Sequence, residues 1–405
     1  MAQGSGSPVF DSIATPSGRG FASALASNPT VLALAARLGL ALRRLCGKPL
    51  RFRKAVIAVS HDDVRQTLAR DLDFLIGPVN REKIEEVNGP FILAMDRSPT
   101  LELERRALYS ALAAVDLHTL ERGLRERAAA LLASLPAKFD ALQEFARPLA
   151  AGTASELFGI APDDRKLFQE VARAIFAHTF LNLSGNQAIK DRAMLAAPLM
   201  KGWFEDEIKR RQKSSEPGRD LMGQLLRQAL LEPDGIRRTL GGMLVGSIDT
   251  TVTCVANILE VVFRNDDLRA AFHAELDAGR SGYGLCLEAL RLLPHNPIVL
   301  RKAAAATTLA GRTVQPNETV VAWTQAAMRD PAAFPEPERL YPDRPADSYL
   351  HFGAGLHPCA GRVVNAFQLP ILVGALIEAG AVRAGKTGYA GPFPDRLPVR
   401  VRDKA

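Results

Sequence analysis

Residues 349–362, YLHFGAGLHPCAGR, place one sulfur in a loop of glycines and prolines directly ahead of an apolar helical run. Gly353 and Gly355 permit backbone angles closed to other residues, and Pro358 fixes the approach to Cys359. Gly361 lets the helix that follows pack closely against a flat surface. The sulfur then lies at a helix N-terminus with backbone N–H groups directed at it, an environment that favours thiolate. A thiolate so placed is a nucleophile or a metal ligand. A nucleophile needs a base and an oriented acceptor, and His357, two residues away, is not placed as one. As a metal ligand Cys359 stands alone, which excludes structural zinc and iron–sulfur clusters and leaves haem with one axial cysteine. The plain alternative is a small buried hydrophobe in a glycine-rich turn.

The rest of the chain bounds that reading. With 405 residues, 47% of them hydrophobic and 23% charged, it is long enough for one large globular domain with a sizeable core. Cys46, Cys254, Cys286 and Cys359 lie far apart, without CxxC spacing, so a reducing, cytoplasmic setting is expected. The net charge of +7 comes without a basic run interleaved with aromatics, which argues against nucleic acid. Residues 1–20 read as a flexible polar tail without signal-peptide order, and residues 21–405 as the folded domain. The first apolar helix, with Asn28 as cap, Pro29 at its first position and Gly47 as its stop, is too short to span a bilayer. Arg37, Arg43 and Arg44 make it a surface helix, with an amphipathic membrane contact as the alternative and no integral anchor.

From residue 28 to about residue 296 the apolar spacing is helical almost throughout. Residues 49–60 read as a short strand before a helix, residues 72–99 as a long irregular segment, and residues 298–345 as short β runs followed by a proline-rich meander. One long apolar helix carries Gly246-Ser247-Ile248-Asp249-Thr250-Thr251, a run of poor helix formers in its middle. Asp249 and Thr250 are expected in roughly the same sector of that helix, and a Ser/Thr packing face is the ordinary alternative. Glu288-Ala-Leu-Arg291 places an acid and a base on one helix face, which alone is an ordinary ion pair. Pro370, inside the helix after Cys359, predicts a kink or early break.

Taken together, Phe352-x-x-Gly355-x-x-x-Cys359-x-Gly361, the Glu288/Arg291 pair and the Gly246–Thr251 run resemble the cytochrome P450 family, in family order. The resemblance implies a mostly α fold with small β-sheets, a single domain, and haem b (iron protoporphyrin IX) between the long central helix and the Cys-loop helix. It makes Cys359 the iron ligand, with Phe352, Gly353 and Gly361 shaping the loop. Arg344 joins Glu288 and Arg291 in a structural network, while Arg105, Arg301 and His357 serve the haem propionates. Asp249 becomes the proton-delivery acid and Thr250 the hydroxyl that assists dioxygen activation. The chain departs from the pattern at Leu101 and Ala354, where haem-anchoring histidine and basic residues are usual, and this weakens propionate anchoring.

The implied activity is monooxygenation of a small hydrophobic substrate. No flavin or NAD(P)H fingerprint is evident, so electrons are expected from a ferredoxin and its reductase, steered by Arg105, Arg106 and Arg362. The pocket is expected to involve Phe74, Ile76, Phe91, Ile92, Phe180, Met243, Ser247, Ile298 and Phe393. Two other readings stand beside it: a peroxygenase or hydroperoxide-rearranging enzyme, and a non-catalytic haem-thiolate sensor.

Overall fold

The computed structural model describes residues 29–401 apart from 183, 391 and 392. The expected tail and Asn28 lie outside the described residues. In chain order the helices are α1 (Pro29–Cys46), α2 (His61–Ala69), α3 (Gly77–Val87), α4 (Pro99–Ala113), α5 (Leu117–Ser134), α6 (Arg147–Phe158), α7 (Arg165–Phe176) and α8 (Gln187–Gln212). They continue as α9 (Leu221–Gln228), α10 (Pro233–Val245), α11 (Ile248–Val262), α12 (Asp266–Asp277), α13 (Tyr283–Leu292), α14 (Thr324–Ala327) and α15 (Arg362–Glu378).

The strands are short: β1 (Leu50–Phe52), β2 (Ala55–Ala58), β3 (Phe74–Leu75), β4 (Lys138–Asp140), β5 (Val299–Ala303) and β6 (Thr307–Leu309). After them come β7 (Arg312–Val314), β8 (Thr319–Ala322), β9 (Val382–Arg383), β10 (Gly388–Ala390), β11 (Phe393–Arg396) and β12 (Pro398–Arg400). One sheet has the order β1-β2-β8-β5-β3, with β2 and β8 parallel and the other pairs antiparallel. A second has the order β4-β12-β9, and β6-β7 and β10-β11 are hairpins. The fold is therefore mostly helical with small sheets.

Local chemistry sets the boundaries. Ser60, Ser98 and Asp116 accept backbone N–H groups at the starts of α2, α4 and α5, supplying partners that a helix N-terminus otherwise lacks. The apolar run through residues 233–262 is not one helix but two, because Gly246 and Ser247 leave the α ladder between α10 and α11. Hydroxyls bond back onto the preceding turn there: Ser247 to the Leu244 carbonyl at 2.8 Å, Thr250 to Gly246 at 2.5 Å and Thr251 to Ser247 at 2.7 Å. Such bonds compete with the helix ladder and bend it.

Three further expectations change. Residues 72–99 are not an irregular loop: α3 fills their centre, with Pro78 in its first turn, and the Ile76 and Gly77 N–H groups donate to Asp96 Oδ1 at 2.8 and 2.9 Å. Residues 49–60 form the two-stranded hairpin β1–β2 rather than one strand. Pro370 does not break α15, whose Leu369, Leu372 and Val373 are fully enclosed by the main core; that packing outweighs one lost ladder bond.

Candidate active site

The cysteine loop is built by three backbone constraints. The Cys359 N–H donates to the Phe352 carbonyl at 2.8 Å, closing the loop on itself. Gly353 and Gly355 both have φ of 72°, the left-handed region. A Cβ on Gly355 would stand 2.1 Å from the Leu68 carbonyl oxygen, so the loop backbone lies directly on the end of α2. From the other side Tyr109 of α4 donates its hydroxyl to the Pro358 carbonyl at 3.0 Å. At Gly361 a Cβ would meet only the Cys359 sulfur, at an ordinary 3.7 Å. The side open to Gly361 is thus the sulfur's own.

Cys359 has the accessible surface of an exposed residue, yet burial raises its thiol pKa. Both hold when a sulfur faces a space inside the fold. The N–H groups of Gly361 and Arg362 and the Arg362 charge pull the other way, and burial prevails. The protein alone does not favour the thiolate expected from sequence; a metal ion held by Cys359 would supply what is missing, because metal coordination deprotonates a thiol.

A second constellation is cationic. Arg301 on β5 is buried; its guanidinium donates to the Leu300 carbonyl, and burial lowers its pKa to about 10. His357 is pushed down to about 4 by burial and then by the charge of Arg301, with Arg105 adding to it and Asp96 and Asp71 opposing. Arg105 stacks over the Tyr109 ring at 5.0 Å, and its Nε is buried without a hydrogen-bond partner. Three groups able to carry positive charge thus converge beside the cysteine loop, and among the described residues none of them has an ion-pair partner. This arrangement fits a dianionic prosthetic group, such as haem with its two propionates, and fits the lone sulfur as its iron ligand. Leu101 is fully buried on α4 and gives no donor to that cluster.

Glu288 and Arg291 are both fully buried on α13, with Nε–Oε1 and Nη2–Oε2 contacts of 2.8 and 2.9 Å. Arg344 reaches Glu288 Oε2 at 3.4 Å, and Tyr349 donates its hydroxyl to Oε1 at 2.8 Å. Arg291 also donates to the carbonyls of Met328, Pro337 and Arg339, tying the meander to α13. Tyr349, which opens the cysteine loop, is a member of this network that the sequence reading missed.

Above the break, Asp249 and Thr250 part company. Thr250 turns its hydroxyl back on Gly246, while Asp249 is buried and accepts from Arg147 Nη2 of α6 at 2.9 Å. Arg173 of α7 lies 3.8 Å from the same Oδ1 and 2.5 Å from Asp395. Burial works against the Arg173 charge, but Asp249 and Asp395 outweigh it and raise its pKa. Asp249 Oδ2 has no hydrogen-bond partner. Neither arginine was anticipated, although Arg147 is the single cation of an apolar helix, which is a legible signal.

Of the residues expected around the pocket, Phe91, Ile92 and Met243 meet in one apolar cluster with Ile84 and Ala94. A Cβ on Gly242 would stand 2.5 Å from the Phe91 ring, so that ring lies flush on α10. Phe180 packs on Phe176 with ring centroids 5.1 Å apart, Ile76 is buried at the start of α3, and Ile298 is exposed. One expectation is corrected. Phe74 belongs to the second core, under the five-stranded sheet with Val56, Val64 and Phe334, because its strand pairs with β5. The Ser247 hydroxyl is spent on the Leu244 carbonyl. Phe393 lies on β11.

Comparisons with known proteins bear on the family and the fold. The cytochrome P450 family profile matches residues 284–382. Mycinamicin IV hydroxylase/epoxidase of Micromonospora griseorubida is 28% identical over 339 residues, covering 80% of this chain and 82% of that one. The cytochrome P450 monooxygenase PikC of Streptomyces venezuelae is 29% identical over 257 residues, 62% of this chain and 58% of that one. Among solved structures, CalO2 superposes with a TM-score of 0.80 at 21% identity, covering 93% of this chain and 98% of that one. P450BioI, solved with an acyl carrier protein bearing hexadec-9Z-enoic acid, gives 0.79 at 19%, covering 92% and 99%. The relatives named as hydroxylase and monooxygenase support an oxidoreductase of the P450 monooxygenase class. The family match over residues 284–382, the relatives and the shared fold together support a bacterial-type cytochrome P450.

Proposed function

We propose that the protein is a haem b monooxygenase that inserts one oxygen atom of dioxygen into a small hydrophobic molecule, with electrons from a separate ferredoxin and its reductase. The observation that carries this reading is the convergence of Arg105, Arg301 and His357, without ion-pair partners, beside the open side of a lone cysteine. Cys359 would hold the iron and the three cations the propionates, and haem bound there supplies the redox chemistry that activates dioxygen.

The chain's own residues provide the remainder. The break at Gly246–Ser247 leaves Gly246 exposed, and a Cβ there would meet only the Gly242 and Met243 carbonyls at 3.8 Å, so a small ligand would have room. Arg147 fixes one oxygen of Asp249 and leaves Oδ2 to take up and pass on a proton, while the Thr250 hydroxyl is held separately against the Gly246 carbonyl. The cluster of Ile84, Phe91, Ile92 and Met243 offers an apolar wall to the substrate and excludes water. Exposed Arg106 and Arg362, on the two elements that flank the cysteine loop, suit an acidic electron carrier.

An optical titration of the haem protein against lipophilic compounds tests the reading. A hydrophobic ligand is expected to shift the haem band and to raise NAD(P)H consumption with surrogate redox partners. Asp249→Asn should keep the band shift and lower ligand-dependent turnover about 100-fold or more. Unchanged turnover in Asp249→Asn, or reduced partners that never transfer electrons in the presence of any ligand, would exclude it.

A further inference from the structure

We propose that α1 and the β1–β2 hairpin form a docking surface for an anionic phospholipid bilayer, on which the protein lies without crossing it. Residues 29–61 contain seven cations, Arg37, Arg43, Arg44, Lys48, Arg51, Arg53 and Lys54, and no acidic residue. One face of α1 is committed to the fold, where Ala36 and Leu40 pack with Val59, Ala326 and Trp323. The other face presents Leu34, Leu38, Leu42 and Leu45, exposed to 67, 59, 41 and 84%. Their spacing of four, four and three residues stacks them in one sector of the helix. Single exposed leucines are ordinary on a soluble surface, but four in one stripe are not.

The hairpin that follows adds an independent feature. Phe52 at its tip is 65% exposed, and Arg53 beside it has φ of 51°, uncommon for a residue with a side chain. The Arg53 guanidinium lies 5.6 Å from the Phe52 ring centroid, so an aromatic ring and a cation project together. Lys48, Arg53 and Lys54 enter no ion pair among the described residues. Arg43 and Arg51 are committed to the largely buried Asp63 and Glu318; Arg37 and Arg44 pair with Glu338 and Asp330, but these two arginines are largely exposed, and such pairs are weak enough for a phosphate headgroup to replace.

Charge decides the occupant. A second copy would bring two cationic rims together, which repel. Anionic headgroups complement the same rim while the leucines and Phe52 enter the acyl boundary, as in helices that lie in the interface plane. The surface does not depend on the catalytic reading.

Flotation of the haem-loaded protein with phosphatidylcholine vesicles, and with vesicles that also contain phosphatidylglycerol, tests this. The protein should float with the anionic vesicles alone. L38E/L42E and R53E/K54E should each weaken that binding about ten-fold or more while keeping the parent's haem spectrum. If L38E/L42E fails to fold, Leu45→Glu serves in its place. A parent protein that stays with the soluble fraction, or variants that bind as tightly as the parent, overturn the proposal. So does a solution dimer that L38E/L42E converts to monomer while the parent ignores lipid, because the face then belongs to a second copy.

Discussion

Burial acts on His351 without compensation. Its ring packs against Phe352 and Tyr349, at centroid separations of 4.7 and 5.4 Å, and neither ring nitrogen has a hydrogen-bond partner. Burial foremost pushes its pKa down to about 3, with Glu288 opposing and Arg291 assisting. An unfolded histidine titrates near 6.5, so as pH falls below that value the unfolded chain takes up a proton the folded chain refuses. Stability contributed at neutral pH is then lost progressively toward the folded pKa. Thermal unfolding midpoints of the parent should therefore fall from neutral pH to about pH 5, and His351→Leu should flatten that fall by about one proton's worth. Identical pH profiles for the two proteins would contradict this. The residue was legible in sequence as part of the quoted loop, but its burial was not, because that depends on α13 packing beneath it.

At the scale of elements, the contact between α10 and the segment after α3 is set by one missing methyl group. The Phe91 ring occupies the place of a Gly242 side chain, its nearest carbon 2.5 Å from where a Cβ would be. The ring base cannot swing aside as a flexible chain end does, so Gly242→Ala should displace the segment and cost about 1–3 kcal/mol. Thermal unfolding measures the cost, and a changed affinity for hydrophobic ligands should accompany it. An unaltered midpoint and affinity would show that the contact is not tight. The elements differ in how far sequence revealed them. The cysteine loop and the Glu288/Arg291 pair are local patterns and were readable, as was the disruption at Gly246–Thr251. The Arg147–Asp249 pair joins residues 102 positions apart, so neither helix advertises the other. Helix α3 was missed because Gly77, Pro78 and Asn80 look like turn residues, whereas Asp96, nineteen and twenty residues away, supplies the N–H partners that start the helix.

Across the whole molecule, charge is distributed to match separate tasks. Half-buried Arg105 and buried Arg301 face inward, the α1 and hairpin cations face outward, and Arg106 and Arg362 flank the cysteine loop on the exposed side. For an acidic electron carrier, the double variant R106E/R362E should slow reduction by about ten-fold at low ionic strength, with the gap narrowing as salt is added. Equal rates for variant and parent at low salt would place the carrier elsewhere. The inward cations and the electron-carrier face presuppose a metal bound by the sulfur that Gly353, Gly355 and Tyr109 hold in place, whereas the α1 surface does not. The most direct measurement is the carbon monoxide difference spectrum of the reduced, haem-reconstituted protein beside that of Cys359→Ser. The account predicts a thiolate-type band in the parent and its complete loss in the variant; a parent that takes up no haem, or a variant with the same band, contradicts it.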